Sequence, residues 1–214
     1  AEATRQLENT MRVLQSRQQP AGGFGYWDGR DAGQGYDFLT VYITHFLTEA
    51  REAGFPMNSE MLDAAKNRLI AMVQLPVATR REATLRAAAI YVLTRNGIVT
   101  TNHVLSLRDT LKSKFKEEEW TTDLTGAYLA ATYVLLQQKE EGEKLMAAHR
   151  RPRTKDLPER TFYDETPLAE HAQSLMLECR HFPARADKIG YEQLRPVIDP
   201  LSRGEFHTLS AAWS

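Results

Sequence analysis

Apolar, helix-forming stretches recur along this chain at a nearly constant spacing. Each begins with a leucine just after a polar residue that can cap a helix; the five leucines are Leu39, Leu85, Leu124, Leu168 and Leu209. The steps between them are 46, 39, 44 and 41 residues. A period of about forty residues with two helices per unit is typical of arrays of helical hairpins. The spacing therefore predicts an all-α chain.

Two kinds of helix alternate within this pattern. The stretches 38–53, 82–95 and 124–138 carry apolar residues on several faces, whereas the stretches between them have one apolar stripe. A helix that is apolar on several faces is buried on several sides. In a closed array the first set lines an inner ring and the second an outer ring. We therefore expect an α/α toroid of helical hairpins, incomplete at its ends; an open solenoid is the alternative.

Local signals mark where the predicted helices begin and end. Ser59, Thr101 and Asp123 are predicted to cap helices. Residues 3–18 predict a one-sided outer helix, and 143–149 and 187–197 predict short ones. The polar interval 150–165 is the one long predicted loop.

Composition excludes several classes of function. The net charge is −1, with 27 basic and 28 acidic residues, so nothing favours nucleic acid or an anionic membrane surface. No apolar run approaches the roughly 20 residues that cross a bilayer, and we expect no membrane insertion. A single cysteine excludes an internal disulfide framework and a cysteine-built metal site. Because the chain runs from Ala1 to Ser214 and stops inside a predicted helix, we expect one domain, 1–214, cut from a larger multidomain protein.

The six histidines do not form a metal motif. No pair has the His-x-x-x-His spacing of a helical zinc site. His45, His171 and His207 lie in or at the start of the predicted ring helices. The favoured interpretation is structural, with histidines hydrogen-bonded in the core or at helix ends. The alternative is a general base at the mouth of the ring.

Cysteine and the acidic residues also lack a catalytic pattern. Cys179 follows Leu177 and Glu178 on an apolar helix, which favours a buried structural thiol over a nucleophile. The acids Asp28 with Asp31, Asp63, and Asp164 with Glu165 stand in no motif that forces two carboxylates together, as a glycosidase requires. Asp109 and 117–119 are predicted to belong to a solvated face. We assign no catalytic, cofactor-binding or metal-binding residue and expect no cofactor.

The basic residues near position 150 could bind an acidic partner. They are Arg150, Arg151, Arg153, Lys155 and Arg160, and the acids Asp156 and Glu159 lie among them without an aromatic residue. A flexible loop is therefore the preferred interpretation.

The most specific local string is Gly-Gly-Phe-Gly-Tyr-Trp at 22–27. Its glycines permit positive φ angles and close approach of the backbone. We expect Phe24, Tyr26 and Trp27 to pack between helix ends. A phosphate cradle is not expected, because no lysine follows the string and a helix rather than a strand precedes it.

Four strings together resemble a known family. They are 22–27, Leu-Thr-Val-Tyr-Ile-Thr-His-Phe-Leu-Thr-Glu-Ala at 39–50, Arg-Ala-Ala-Ala-Ile-Tyr-Val-Leu-Thr-Arg-Asn-Gly at 86–97, and Phe-His-Thr-Leu-Ser-Ala-Ala at 206–212. In this order they resemble the thioester domain of the alpha-2-macroglobulin and complement superfamily, in its bacterial branch. The first string is also similar to turns of terpenoid cyclases and protein prenyltransferases, which share the toroid.

This resemblance implies an α/α toroid within a protease-trapping parent. In that family, cleavage of a bait segment triggers closure, and a thioester from a Cys-x-Glu-Gln motif can bond to the attacker. The motif is absent here: no cysteine precedes Leu7, and Arg180 follows Cys179. Either the chain starts after the motif or the parent belongs to the subgroup that lacks it. The histidine that tunes the thioester in some members sits in an insertion, and 75–81 is too short to hold it.

The resemblance thus implies a non-enzymatic domain of a bacterial endopeptidase inhibitor of the alpha-2-macroglobulin type, with a role in host defence. Its expected partners are the other domains of the parent, and proteases are expected as targets of the parent. The expected location is the periplasm, with the parent tethered to a membrane elsewhere in its sequence.

Two other functional hypotheses remain. One is an enzyme on the same toroid, such as a terpenoid cyclase, prenyltransferase or polysaccharide-processing enzyme. Neither Asp-x-Asp-Asp nor Asp-Asp-x-x-Asp occurs, and the zinc set of a prenyltransferase is not evident. The other is a peptide-binding solenoid, for which no set of ligand-contact residues recurs with the repeat.

Overall fold

The computed structural model describes residues 2–27, 35–151 and 167–205. Within these ranges there are eleven helices and no strand. They are α1 Glu2–Arg17, α2 Asp37–Glu52, α3 Ser59–Val73, α4 Arg80–Arg95, α5 Thr101–Lys114, α6 Glu117–Thr121, α7 Leu124–Leu135, α8 Lys139–Ala148, α9 Pro167–His181, α10 Pro183–Ala186 and α11 Tyr191–Arg203. The prediction of an all-α fold is confirmed. None of these helices combines the length and the apolar character needed to cross a bilayer.

The chain divides into two compact units, Ala1–Leu107 and Arg108–Ser214. The first contains α1 to α4, the second contains α6 to α11, and the division falls within α5. That 1–214 acts as one domain stays a prediction.

In the first unit the core forms where α2, α3 and α4 pack together. Its buried centre consists of Phe24, Ile43, Leu47, Met61, Leu62 and Ala65. Helix α2 is buried on several faces, as its composition predicts, and three of its buried residues are threonines. The hydroxyls of Thr44 and Thr48 donate to backbone carbonyls one turn earlier, at 2.6 and 2.7 Å. Those bonds satisfy the hydroxyls inside the core.

The packing of the glycine-rich string 22–27 beside this core explains why glycine is needed there. Gly22 has φ +86°, and a Cβ there would lie 2.2 Å from the carbonyl oxygen of Ala64, so only glycine fits. Phe24 is fully buried, as expected. Tyr26 and Trp27 are 51% and 72% exposed, so their predicted packing between helix ends is wrong. The string turns after Phe24, and the two later rings fall on the outside of the unit.

In the second unit, α7 is the central helix, and nearly all of it is buried. Helices α6, α8 and α9 pack against it, and α10 and α11 pack against α9. Gly142 of α8 allows the close approach to α7, because a Cβ there would lie 2.8 Å from both the Ala130 oxygen and Val134 Cγ2. Four buried residues join α9 to α11: Leu168, Ala172, Leu175 and Val197.

The structure corrects two of the three predicted caps. Ser59 and Thr101 are the first residues of α3 and α5. Asn58 caps α3 by accepting a hydrogen bond from a backbone N–H, and the Thr100 carbonyl accepts the first backbone bond of α5. Asp123 caps α7 as predicted. At α3, therefore, the polar residue one position before the predicted cap provides it.

Other boundaries differ in the second unit. The helix predicted at 143–149 begins earlier, at Lys139, and the one predicted at 187–197 is replaced by α10 and α11. Residues 117–119, predicted only as a solvated face, open α6. Most of the predicted loop 150–165 lies outside the described residues, as does the fifth leucine-led stretch, which begins at Leu209.

Candidate functional site

The second unit contains an open cleft with a volume of about 610 Å³. Residues from α8 to α11 and their connections line it: Glu143, His149, Arg151, Glu178, Ala184, Arg185, Lys188, Ile189 and Gln193. Most of these side chains are ionisable, so the cleft is the natural place to look for chemistry.

His149 at the end of α8 is held by two hydrogen bonds. Its Nδ1 lies 3.0 Å from the Asp123 carbonyl oxygen, and its Nε2 lies 3.0 Å from the Ser174 hydroxyl. A carbonyl can only accept, so we assign the ring proton to Nδ1. Burial lowers the pKa of His149 despite the favourable bond to Asp123. The neutral ring therefore presents an unprotonated Nε2 to Ser174.

A serine beside an oriented histidine is the arrangement that activates serine nucleophiles. Here Ser174 is fully buried on α9. Its hydroxyl also lies 2.9 Å from the Glu170 carbonyl, which competes with His149 for the single hydroxyl proton. A substrate carbonyl cannot reach an oxygen enclosed in this way. The pair therefore joins the end of α8 to α9.

An ion pair between Arg151 and Glu178 forms the wall beside this histidine. The side chains are 20% and 8% exposed, so both charges are largely removed from water. The Nε of Arg151 is buried without a hydrogen-bond partner within the described part of the chain. Further out, Arg185 lies 3.7 Å from Glu143. The cleft thus combines paired charges with an incompletely bonded arginine.

The first unit contains a second polar cluster, where α4 ends beside α2. The side chain of Arg95 is 3% exposed, and its Nη1 lies 2.6 Å from Glu49 and 2.9 Å from His45 Nε2. Its other nitrogens bind Glu52. Burial alone would lower the pKa of Arg95, but the bonds to the two glutamates outweigh it and the net shift is upward.

This cluster removes His45 from the candidate bases. Arginine has only donors, so Nε2 of His45 accepts from Arg95 and cannot also donate to Glu49, 3.1 Å away. The His45 side chain is 7% exposed. A general base needs a free lone pair at a site that substrate can reach, and here the lone pair is occupied.

The remaining residues singled out from the sequence are scattered. His171 is buried on α9, and its Nε2 donates to the Gln193 carbonyl at 2.9 Å. His207 and the acids Asp28, Asp31, Asp164 and Glu165 lie outside the described residues. Cys179 is exposed, so the prediction of a buried thiol is wrong. It follows two buried positions of α9, and the helical turn carries it to the outer face.

In the parts of the chain that the structure describes, no three His, Cys, Asp or Glu side chains are grouped to hold a metal ion. The sequence interpretation missed Ser174, the Arg151–Glu178 pair and the role of Arg95. The Arg151–Glu178 pair could have been identified from a charged residue within an apolar helix, since Glu178 follows Leu177 there.

Proteins that are similar to this chain in sequence share the name alpha-2-macroglobulin. No family model matches the chain. The chain is 33% identical over 217 residues to an alpha-2-macroglobulin homolog of Yersinia pestis, a match that covers 98% of this chain and 10% of the relative. It is 32% identical over 218 residues to alpha-2-macroglobulin of Pasteurella multocida, covering 96% of this chain and 11% of the relative.

Solved structures agree with these relatives. Escherichia coli alpha-2-macroglobulin activated by porcine elastase matches with a TM-score of 0.72 at 21% identity, over 95% of this chain and 18% of that one. The native Escherichia coli protein from domain MG7 to the C-terminus matches with a TM-score of 0.72 at 19% identity. This match covers 99% of this chain and 34% of that one. Salmonella alpha-2-macroglobulin reacted with methylamine matches with a TM-score of 0.64 at 19% identity. This match covers 89% of this chain and 12% of that one. These matches show a shared fold.

Fold and sequence together define a helical segment of the alpha-2-macroglobulin class. The chain belongs to the alpha-2-macroglobulin superfamily, in its bacterial branch, and the predicted resemblance to that family is confirmed. It spans about a tenth of the length of the curated relatives it matches.

Proposed function

We propose that the chain is the thioester-type domain of a bacterial alpha-2-macroglobulin-like protein that traps proteases, and that it has no catalytic role itself. The observation that carries the proposal is the extent of the similarity. Relatives named alpha-2-macroglobulin match along 96–98% of the chain at 32–33% identity. Similarity of that extent argues for the same segment of a related parent protein.

The polar clusters support a non-catalytic role. Ser174 is enclosed beside His149, and the lone pair of His45 is occupied by Arg95. Cys179 is followed by Arg180, so it is not part of a Cys-x-Glu-Gln thioester motif. Whatever covalent chemistry the parent performs then depends on residues outside this chain.

The partners follow from the same proposal. This domain would dock against other domains of the parent, and proteases would be the targets of the parent. The proposed location is the periplasm, where a protease trap would contribute to host defence as an endopeptidase inhibitor. Neither nucleic acid nor membrane insertion has a place in the proposal.

A protease assay with two substrates tests this function. The full-length parent and the isolated chain are each incubated with elastase or trypsin, and cleavage of a large protein substrate and of a small peptide is followed. A trap encloses the protease, so the parent should suppress cleavage of the large substrate and spare the small one. The isolated chain should change neither rate.

Inhibition of either reaction by the isolated chain would contradict the proposal, as would a parent that leaves both reactions unchanged. A parent protein heated before the assay serves as the control for nonspecific loss of protease.

A further inference from the structure

One side of the cleft in the second unit, formed by residues 184–193, presents hydrogen-bond donors that lack acceptors. Among the described residues, the side chain of Lys188 makes neither a hydrogen bond nor an ion pair. Arg185 makes only a long contact, 3.7 Å from its Nε to a Glu143 oxygen. Gln193 accepts from the Gly190 N–H through Oε1 at 2.9 Å, and its Nε2 amide group has no acceptor in the described ranges. What this side offers to a ligand is therefore donors.

These donors are open to solvent. Arg185 lies in the last turn of α10 and its side chain is 34% exposed, and both Lys188 and Gln193 are exposed residues. The Lys188 N–H donates to the Arg185 carbonyl at 3.0 Å, so a single backbone turn keeps the two cations close in the chain. All three residues line the cleft of about 610 Å³. A ligand can reach them without any rearrangement of the core.

The residues that line the cleft carry three positive charges and two negative ones. The charged lining residues are Arg151, Arg185, Lys188, Glu143 and Glu178. His149 adds no charge at pH 7, because burial lowers its pKa. Glu178 pairs with Arg151 and Glu143 with Arg185, so Lys188 is the lining cation that the described residues leave unpaired. Asp187 precedes it in the chain but does not line the cleft.

We propose that this cleft binds an acidic segment of another polypeptide, with one carboxylate held by Lys188 and Arg185. A carboxylate supplies both the missing acceptors and the missing charge, and its hydrogen bonds to ammonium and guanidinium groups are strong. One carboxylate neutralises the excess charge of the lining. A phosphate dianion fits less well, because Glu143 and Glu178 already place two negative charges in the cleft and like charges repel.

The size and the remaining lining of the cleft favour a peptide over a free small acid. A water molecule takes up about 30 Å³ of liquid, so a carboxylate alone would leave most of the cleft unfilled. Ala184 and Ile189 provide apolar contacts for the aliphatic part of an acidic side chain. The Gln193 amide can donate to a peptide carbonyl. The inference rests on these residues alone and does not depend on the proposed function.

An NMR titration of the full chain at pH 7 tests the site. The probe is the peptide acetyl-Ala-Ala-Glu-Ala-Ala-amide, and its matched control contains glutamine in place of glutamate. The acidic peptide should shift the Lys188 amide and the Gln193 side-chain amide saturably, and it should bind more weakly at high salt. The glutamine peptide should leave both signals in place.

A double variant identifies the cations that bind the carboxylate. Arg185→Met together with Lys188→Met should weaken binding of the acidic peptide about tenfold, since it removes two partly exposed charge contacts. Arg12→Met together with Lys144→Met removes the same total charge at exposed positions away from the cleft lining, and it should keep the full affinity. The amide spectrum of each variant shows whether it is folded.

Equal effects of the two peptides would overturn the proposal, and so would full affinity in the Arg185 and Lys188 double variant. Acetate that binds as tightly as the acidic peptide would contradict a polypeptide ligand. Tighter binding of the same peptide with phosphoserine in place of glutamate would contradict the choice of a carboxylate. Should the double variant fail to fold, the unchanged chain still decides the question, because shifts away from Lys188 and Gln193 would place the binding elsewhere.

Discussion

Each unit places an arginine beside glutamate and histidine, and the two clusters use these groups differently. In the first unit, Arg95 binds Glu49, Glu52 and His45, and every side-chain nitrogen has a partner. In the second, Arg151 binds Glu178, its Nε has no partner among the residues that the structure describes, and the pair lines an open cleft. The same residue types thus stabilise a helix crossing in one place and line an accessible surface in the other. Residue type alone does not distinguish a structural cluster from a site.

The largest effect is expected from Arg95→Met. Removing one partner of a buried ion pair costs ~3–5 kcal/mol. Glu49 and Glu52 are each 38% exposed and would regain water, so we expect a loss of about 2 kcal/mol in the free energy of unfolding. Urea unfolding measures it. Arg51→Met, at an exposed residue of α2, is the control and should cost less than ~0.5 kcal/mol. Equal losses in the two variants would mean that the cluster contributes no specific stability.

Ser174→Ala tests the corresponding junction in the second unit. The change leaves Nε2 of the partly buried His149 without a donor, so we expect a loss of about 1–2 kcal/mol. Ser202→Ala removes an exposed hydroxyl of α11 that donates to a backbone carbonyl, and it should be nearly neutral. A neutral Ser174→Ala would show that the pair does not join α8 to α9.

The pH dependence of unfolding should also distinguish the units. Burial lowers the pKa of His149 below its value in the unfolded chain, which is about 6.5. Below that pH the unfolded state binds a proton that the folded state excludes. The contribution of His149 to the free energy of unfolding is therefore constant above pH ~6.5. It falls as the pH drops below that value, by at most about 1.4 kcal/mol per pH unit. The loss ends once the pH passes below the folded-state pKa.

His149→Gln should remove this part of the slope between pH 6.5 and 5, whereas His103→Gln on α5 should keep it. An unchanged slope in the first variant would assign the acid sensitivity to another group.

The smallest expected effect on stability is at the outer face of α9. Cys179 is exposed, so Cys179→Ser should change the free energy of unfolding by less than ~0.5 kcal/mol. The native thiol should react completely with a water-soluble thiol reagent without denaturant. A thiol that does not react would indicate that Cys179 is buried, as the sequence suggests.

How far the sequence predicts this molecule depends on how local each feature is. The helices follow from apolar residues repeating within one or two turns, which is why α2 and α7 were predicted nearly in full. The cap of α3 was misplaced by one residue because Asn58 and Ser59 are both good caps, and only the backbone conformation selects between them.

The polar clusters could not be predicted in the same way. Arg95 and Glu49 are 46 residues apart, and Ser174 and His149 are 25 apart, so each contact depends on how two helices pack. The error at Cys179 has a related cause. Its neighbours Leu177 and Glu178 are buried, but one further residue rotates the side chain by more than a quarter turn.

We propose that this segment of an alpha-2-macroglobulin-like protein carries no thioester chemistry of its own. Its most direct test is the intact mass of the purified chain before and after incubation with methylamine, a nucleophile that opens thioesters. We predict an unchanged mass, because the single cysteine lacks the Glu-Gln that would complete the motif. Stoichiometric incorporation of methylamine would contradict the account.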